Sequence, residues 1–94
     1  GNRVAALSFG PEKVYIVLGK NKIVPDIPAA IERIRLQAAP LNAKRLNRNT
    51  PCVETGVCQD CSSPDRICNM LSILKKQPVP GRISIVLIDQ DLGL

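Results

Sequence analysis

Four cysteines are the residues of this sequence best suited to chemistry: Cys52, Cys58, Cys61 and Cys68. They follow the pattern C-x5-C-x2-C-x6-C, and the chain contains no histidine. The Cys58-x-x-Cys61 pair can give two thiolates to one ion, and the flanking cysteines can give two more. Because four thiolates suit either tetrahedral zinc or an iron–sulfur cluster, we favour a metal or cluster site.

Two other interpretations of the cysteines stay open. Their even number fits a disulfide framework, and the thiols could also be free and buried. Disulfide frameworks are typical of small secreted domains, whereas this chain is 45% hydrophobic and shows neither an export signal nor an apolar run long enough to span a bilayer. We therefore expect a cytoplasmic protein. The spacing is that of neither a zinc ribbon nor a ferredoxin, so it does not identify the metal.

The second candidate for chemistry is the polar loop Gly19-Lys20-Asn21-Lys22, which follows a predicted strand. Ligands gather at the carboxyl ends of strands in open α/β sheets. Lys22 or Lys20 could pair with a carboxylate or phosphate. Asn21 could orient that anion, and Gly19 would let backbone come close to it. The same residues also make an ordinary solvated loop, so both interpretations stay open.

Several classes of function are disfavoured by what the sequence lacks. Without histidine, neither Ser/His/Asp nor Cys/His catalysis can be built within this chain. No glycine-rich phosphate loop, nucleophile elbow or paired-carboxylate arrangement is present. The net charge of +5 comes from dispersed Lys and Arg residues, and only 2% of the residues are aromatic. Nucleic-acid binding through stacked bases is therefore disfavoured.

Two strands and several helices are predicted to position these residues. We expect a short helix over residues 3–9, with Asn2 as N-cap and Gly10 as the C′ residue, in preference to a strand. Residues 13–18 are β-branched and apolar, which predicts a strand buried on both faces. Residues 82–88 predict a second strand of the same kind.

Between the strands the pattern predicts helices. Asp26 can cap a helix over residues 27–39, and Pro40 can interrupt it and open a short helix through Leu46. The region from Cys52 to Cys61 is expected to be irregular. Ser63, Pro64 and Asp65 form a helix-start signal, and the apolar positions that follow repeat at helical spacing, which predicts a third helix ending near Lys76. This alternation predicts an α/β fold with a mainly parallel sheet covered by helices.

Most of the sequence resembles the C-terminal half of the lactate-utilisation (LUD) domain. The matching stretches are GNRVAALSFGPEKVYIVLGKNKIV, AAIERIRLQAAPLNAKRL, TPCVETGVCQDCSSPDRICN and GRISIVLIDQDLGL. The most specific parts are residues 1–3, residues 19–24 and the cysteine segment at residues 50–68. We therefore expect residues 1–94 to be one partial domain that includes this cysteine segment.

The resemblance implies a fold similar to that of the NagB/RpiA/CoA-transferase-like proteins, of which this chain would be the C-terminal part. It also implies a cytoplasmic protein related to the iron–sulfur systems that oxidise L-lactate. The expected cofactor is an iron–sulfur cluster held by the four cysteines, with zinc as the alternative. The expected partners are a small anionic substrate at Gly19, Asn21 and Lys22, and other subunits of a redox complex. Two alternatives are a zinc-stabilised binding domain without enzymatic activity and a CoA-transferase-like or isomerase-like enzyme.

Overall fold

The structure, a computed structural model, describes residues 2–94, and of Asn2 only the backbone. The described chain forms two compact units. The first unit comprises the residues up to Ile23 together with residues 68–93, and the second comprises residues 24–67 and Leu94. Each unit is described by itself below.

The first unit contains a two-stranded parallel sheet. Helix α1 spans Asn2–Leu7, strand β1 spans Val14–Gly19, and strand β2 spans Ile83–Ile88. The strands pair in parallel from Val14 opposite Ile83 to Gly19 opposite Ile88. Both predicted strands are therefore confirmed to within a residue at each end, and the chain is of the α/β class.

One face of the sheet carries the apolar core of this unit. Val14 is 5% exposed, and it adjoins Val4 and Leu7 of α1 in a small apolar cluster. On the opposite face Tyr15 and Val17 are 65% and 60% exposed. The prediction of burial on both faces is thus wrong within the described residues, because α1 covers a single face of β1 and no described element of this unit covers the other.

The predicted short helix is confirmed as α1, but its end differs from the prediction. The helix stops at Leu7, and the backbone of Gly10 does not adopt the left-handed conformation of a C′ glycine. The guanidinium of Arg82, just before β2, donates to the carbonyl oxygens of Ser8 at 3.0 Å and Leu7 at 3.2 Å. A side chain distant in sequence therefore satisfies the carbonyls that a glycine cap would serve. The predicted capping by the Asn2 side chain lies outside the described residues.

The second unit is helical. Helix α2 spans Ile27–Arg33, a π-helical segment spans Ile34–Ala38, helix α3 spans Ala39–Arg45, and helix α4 spans Pro51–Thr55. The predicted cap is confirmed, because the Asp26 side chain accepts a hydrogen bond from the Ala29 N–H at 2.8 Å.

The second predicted helix is also confirmed as α3, and Pro40 lies in its first turn. The Ala39 N–H bonds to the carbonyl of Ile34, five residues back, which is the π-helical pattern. In a regular helix the Pro40 ring would clash with the carbonyl four residues back. A wider turn before Pro40 relieves that clash, and this widening was not predicted from the sequence.

Two predictions in the C-terminal half are wrong. Residues 63–76 contain one turn at Pro64 and Asp65 and no helix, whereas the segment expected to be irregular begins with α4. The Ser63 hydroxyl accepts from the Asp65 N–H at 3.2 Å, as an N-cap would, but only a single turn follows. The Ser63 and Asp65 side chains also bind the backbone of Asn49. The apolar residues that follow, Met70, Leu71 and Leu74, are 48–59% exposed, and an amphipathic helix gains most of its stability from burying such a face.

Candidate functional site

Cys52 lies in the core of the second unit. It is 8% exposed, and its Sγ lies 3.3 Å from Oγ1 of Thr50, which is 7% exposed. Helix α4, which carries Cys52, packs against α3, whose Ala39 and Ala43 are also buried. Gly56 ends α4 in the left-handed conformation, at φ 73°, and its N–H bonds to the Cys52 carbonyl at 3.0 Å.

Cys58 and Cys61 stand at the two ends of residues 58–61, an irregular segment called the cysteine turn below, and both are half-buried. Asp60, between them, adopts the left-handed conformation at φ 47°. Its N–H donates to Cys58 Sγ at 3.4 Å. The Cys58 N–H donates to the Arg35 carbonyl at 2.9 Å, which ties the turn to the π-helical segment.

Arg66 closes this turn from its C-terminal side. Its guanidinium donates to the Cys61 carbonyl at 2.5 Å through Nη1 and to the Asp60 carboxylate at 2.8 Å through Nη2. The Arg66 side chain is 26% exposed, whereas that of Asp60 is 82% exposed. The Arg66 fork therefore joins two residues of the cysteine turn from a partly buried position.

A second anchor connects the cysteine turn to the segment before α4. The Asp65 carboxylate accepts from the Asn49 N–H at 2.6 Å and pairs with Arg48 at 3.3 Å, and the Ser63 hydroxyl donates to the Asn49 carbonyl at 2.9 Å. The hydrogen bond from Asn49 lowers the pKa of the Asp65 carboxyl below its usual value, with a further contribution from Arg48 and an opposing one from desolvation.

Cys68 is half-buried at the start of the irregular segment that leads to β2. Within residues 2–94, no three side chains among His, Cys, Asp and Glu are grouped closely enough to hold a metal ion. Two thiols, with a backbone N–H directed at the Cys58 sulfur, are nevertheless donors that suit a zinc or iron–sulfur site. Cys58 and Cys61 lie three residues apart in one irregular segment, and the four-ligand site stays a prediction.

The strand-end loop, residues 19–22, is hydrogen-bonded to the segment that follows β2. Asn21 Oδ1 accepts from the Leu92 N–H at 3.1 Å, and Asn21 Nδ2 donates to the Gly93 carbonyl at 3.2 Å. Lys22 Nζ donates to the Leu92 carbonyl at 2.7 Å. Lys20 pairs with Asp89 at 3.1 Å on the exposed surface. The polar groups predicted to bind an anion are therefore engaged, at least in part, with the protein's own backbone.

Gly19 is buried where this loop meets the segment after β2. A methyl group built on its Cα would lie 2.6 Å from the Leu92 nitrogen and 2.7 Å from Asn21 Oδ1, and even closer to the Gln90 carbonyl oxygen. The Lys20 N–H also bonds to that carbonyl at 3.0 Å. Gly19 therefore lets the backbone of residues 90–92 come close, and its predicted role beside an anion stays a prediction.

The residues that hold the cysteine turn were missed at the sequence level. Asp60 could have been found, because Asp and Asn are the non-glycine residues that most often adopt positive φ. No sequence pattern indicated the role of Arg66, because its bonds to Cys61 and Asp60 depend on the path of the backbone between these residues. An open groove of about 790 Å³ along α2 was also not predicted. The groove is lined by the carboxylates of Asp26 and Glu32 and by the guanidinium of Arg35. Because charges of both signs line it, the groove does not select an anion.

No helix among residues 2–94 has the length and apolar character needed to cross a membrane.

The comparisons with known proteins assign the chain to a family. No curated protein and no solved structure matches the chain significantly. A family model described as the LUD domain matches residues 1–88, nearly the whole chain. The α/β fold, the parallel strand pair and this match together show that the chain belongs to the LUD-domain family, which is related to lactate utilisation.

Proposed function

We propose that this chain is the metal-carrying part of a cytoplasmic LUD-domain protein that works with the redox proteins of L-lactate oxidation. Cys52, Cys58, Cys61 and Cys68 are the proposed ligands of an iron–sulfur cluster. The observation that carries the proposal is the Cys58-x-x-Cys61 turn, in which the Asp60 N–H points at Cys58 Sγ. The family match supports the connection with lactate utilisation.

The turn offers what a metal-binding thiolate pair needs. Metal ions bind the thiolate form of cysteine, so a group that stabilises negative charge on sulfur favours binding. The Asp60 N–H is directed at Cys58 Sγ, and the bond from the Cys58 N–H to the Arg35 carbonyl fixes the start of residues 58–61. A bound cluster would supply one-electron transfer. The residues of the chain would hold the sulfur atoms and shield them partly from water.

Cys52 would be the metal ligand at the buried end of the cysteine segment. Its Sγ lies beside the hydroxyl of Thr50, which can donate to a thiolate. Cys52 and Cys58 are separated by the short helix α4 and its glycine cap. Cys52, Cys58 and Cys61 do not form a group that could hold a metal ion in this structure, so ligation by these three sulfurs requires rearrangement of the segment when the metal binds.

We further propose that the strand-end loop binds a small carboxylate, with Gly19, Asn21 and Lys22 as its contacts. Lys22 Nζ now donates to the Leu92 carbonyl and Asn21 bonds to Leu92 and Gly93. A carboxylate would replace the Leu92 carbonyl on Lys22 with a stronger, charge-assisted bond. Binding would therefore displace the segment after β2, in the general manner of ligands at strand ends.

The test is anaerobic purification of the full-length protein, followed by iron, sulfide and zinc analysis and a visible absorption spectrum. Iron and sulfide, together with a broad absorption band at about 400 nm from charge transfer between thiolate and iron, would support the proposal. Cys58→Ser should remove the iron, whereas Ser62→Ala, an exposed neighbour, should retain it. Iron content and lactate-dependent activity that are unchanged in Cys58→Ser would contradict the proposal.

Structural zinc is the second candidate function of the cysteines, because four thiolates suit either zinc or an iron–sulfur cluster. In that case zinc alone would be found, and a chelator would lower the melting temperature, since structural zinc stabilises the fold directly. The alternative of a CoA-transferase-like or isomerase-like enzyme would be supported by saturable binding of coenzyme A or a sugar phosphate. Four titratable thiols without any metal would refute both metal proposals.

A further inference from the structure

We propose that the outer edge of strand β2 is the docking surface for a second copy of this chain, and that the two β2 strands pair antiparallel with Val86 at the two-fold axis. The groups that pair are the backbone N–H and C=O of Ile85 and Leu87. The inference concerns the first unit alone, and it does not depend on the cysteines or on the strand-end loop.

The peptide groups of β2 alternate between the side of β1 and the outer edge of the sheet, as in any strand. The Arg82 carbonyl, just before β2, accepts from the Val14 N–H at 2.9 Å. Groups of the even-numbered residues of β2 therefore face β1, and those of the odd-numbered residues face outward. Among residues 2–94, no group bonds to the outward-facing N–H and C=O of Ile85 and Leu87.

Gln77 shows that this edge accepts a peptide-like partner. Its side-chain amide donates to the Ile83 carbonyl at 2.9 Å and accepts from the Ile83 N–H at 2.9 Å. A primary amide offers the donor and the acceptor of a peptide group, so Gln77 takes the place of one residue of a neighbouring strand. The pairing position at Ile83 is thereby closed, whereas those at Ile85 and Leu87 stay open to another strand.

The side chains of β2 also favour pairing at this edge. Ile85, Val86 and Leu87 are 64%, 43% and 57% exposed, so apolar surface is exposed on both faces of the strand. Proteins usually protect an exposed edge strand with lysine, proline or a bulge, and β2 contains neither a charged residue nor a proline. Strand β1, by contrast, is flanked by Lys13 and Lys20. The outer edge of β2 is therefore the better candidate for strand pairing.

A second copy of β2 matches the two open positions. When Val86 lies opposite Val86 of the partner subunit in an antiparallel pair, Ile85 lies opposite Leu87 of the partner subunit. Both of these residues direct their N–H and C=O outward, so they form a hydrogen-bonded pair. This register leaves the bonds between Gln77 and Ile83 in place. A register centred on Ile85 would instead need the Ile83 groups that Gln77 occupies.

The same register places no like charges opposite each other. Arg82 lies opposite Gln90 of the partner subunit, and Asp89 lies opposite Ile83 of the partner subunit. The Arg82 guanidinium is in addition directed away, to the carbonyl oxygens at the end of α1. A two-stranded sheet is marginally stable by itself. Pairing about a two-fold axis joins the two-stranded sheets of both copies into one larger sheet and gives a closed dimer.

The first test is sedimentation equilibrium of the purified chain over a range of concentrations, in which the wild type should form a reversible dimer. Leu87→Lys should raise the dissociation constant of the dimer by about tenfold or more, because each copy then carries a lysine into the pairing edge. Val17→Lys is the matched control, since Val17 on β1 is 60% exposed and the charge change is the same. Its dissociation constant should stay within about twofold of the wild type.

Three outcomes of this test would overturn the inference. A wild type that stays monomeric up to about 1 mM would leave the edge to another partner or to none. A dimer weakened by Val17→Lys but not by Leu87→Lys would place the contact on β1. Equal weakening by both lysines would show an effect of net charge rather than of the β2 edge.

The second test fixes the register and does not require that Leu87→Lys folds. In a non-hydrogen-bonded antiparallel pair the Cα atoms lie about 4.5 Å apart, within reach of a disulfide. Val86→Cys should therefore form an intermolecular disulfide when the thiol oxidant diamide is added. Mass spectrometry of the digested dimer should recover position 86 joined to position 86 of the partner subunit.

Ser84→Cys is the matched control for this cross-link. Ser84 lies on the same face of β2 as Val86, but its two copies would be separated by about 13 Å along the strands, so they should not join. The native cysteines are present in both variants and affect them equally. Absence of the disulfide at position 86, or equal cross-linking at positions 84 and 86, would overturn the inference.

Discussion

Replacing Gly19 by alanine places a methyl group against the backbone of the segment after β2. The new Cβ would lie 2.6 Å from the Leu92 nitrogen and 2.7 Å from Asn21 Oδ1, and the Gln90 carbonyl oxygen lies closer than either. Two of these three atoms belong to the backbone, so a side-chain rotation cannot relieve the contact. Residues 90–92 must move away by on the order of 1 Å to restore an ordinary van der Waals separation of about 3.5 Å.

The cost of this movement can be worked from the contacts. Overpacking that shifts backbone costs about 1–3 kcal/mol. The shift also weakens the two bonds between Asn21 and the backbone of Leu92 and Gly93, and each of these contributes about 0.5 kcal/mol, the low end for a hydrogen bond, because water can replace it. We therefore expect Gly19→Ala to lower the free energy of unfolding by about 2–4 kcal/mol, mostly through overpacking.

The assay is urea unfolding of the purified protein followed by circular dichroism. Gly10→Ala is the matched control, because no atom lies within 4 Å of the position of its Cβ and its φ is not positive. That control should be neutral or stabilising by up to about 1 kcal/mol, since alanine restricts the unfolded chain. Equal free energies of unfolding for the two variants would show that Gly19 is not in contact with residues 90–92, and the argument for a closed strand-end loop would fail.

Three further predictions concern local structure. Asp26→Ala should destabilise by about 1 kcal/mol through loss of the cap bond to the Ala29 N–H, whereas Asp26→Asn, which keeps an acceptor, should stay close to wild type in the same unfolding assay. Gly56→Ala should cost about 1 kcal/mol through backbone strain alone at φ 73°, because its Cβ would meet open space; a neutral result would contradict the left-handed end of α4. Since the pKa of Asp65 is held below its usual value, its stabilisation is fully present above that usual value and is lost as the pH falls through the lowered pKa. The amide resonance of Asn49 should titrate over this window in wild type, and stability should lose that acid dependence in Asp65→Asn; an unchanged pH profile in the variant would refute the assignment.

The elements with the strongest local signals were predicted from the sequence. Strands β1 and β2 consist of consecutive β-branched and aliphatic residues, and such runs favour extended backbone in most contexts. The start of α2 was predicted because Asp26 can satisfy a free N–H with its own side chain. The start of α3 was predicted because Pro40 suits a first helical turn. In each case the stabilising interaction lies within a few residues along the chain.

The same local signals failed at the third predicted helix. Thr50-Pro51 and Ser63-Pro64 are both helix-start sequences, yet a helix forms only at the first. At the second, the Ser63 hydroxyl accepts from the Asp65 N–H, as an N-cap does, and also donates to the Asn49 carbonyl. A cap alone does not produce a helix, because a helix gains most of its stability from burying an apolar face, and the apolar residues after Ser63 remain exposed.

The sequence by itself determined the α/β class, the parallel strand pair, the cysteine motif and the LUD family, because these depend on residue type and on spacing along the chain. Only the tertiary structure decided what the candidate residues contact. Asn21 and Lys22 lie against residues 92–93, about seventy residues away along the chain, and the Arg66 guanidinium donates to the Asp60 carboxylate. Such contacts depend on the three-dimensional path of the backbone, so residue types alone do not specify them.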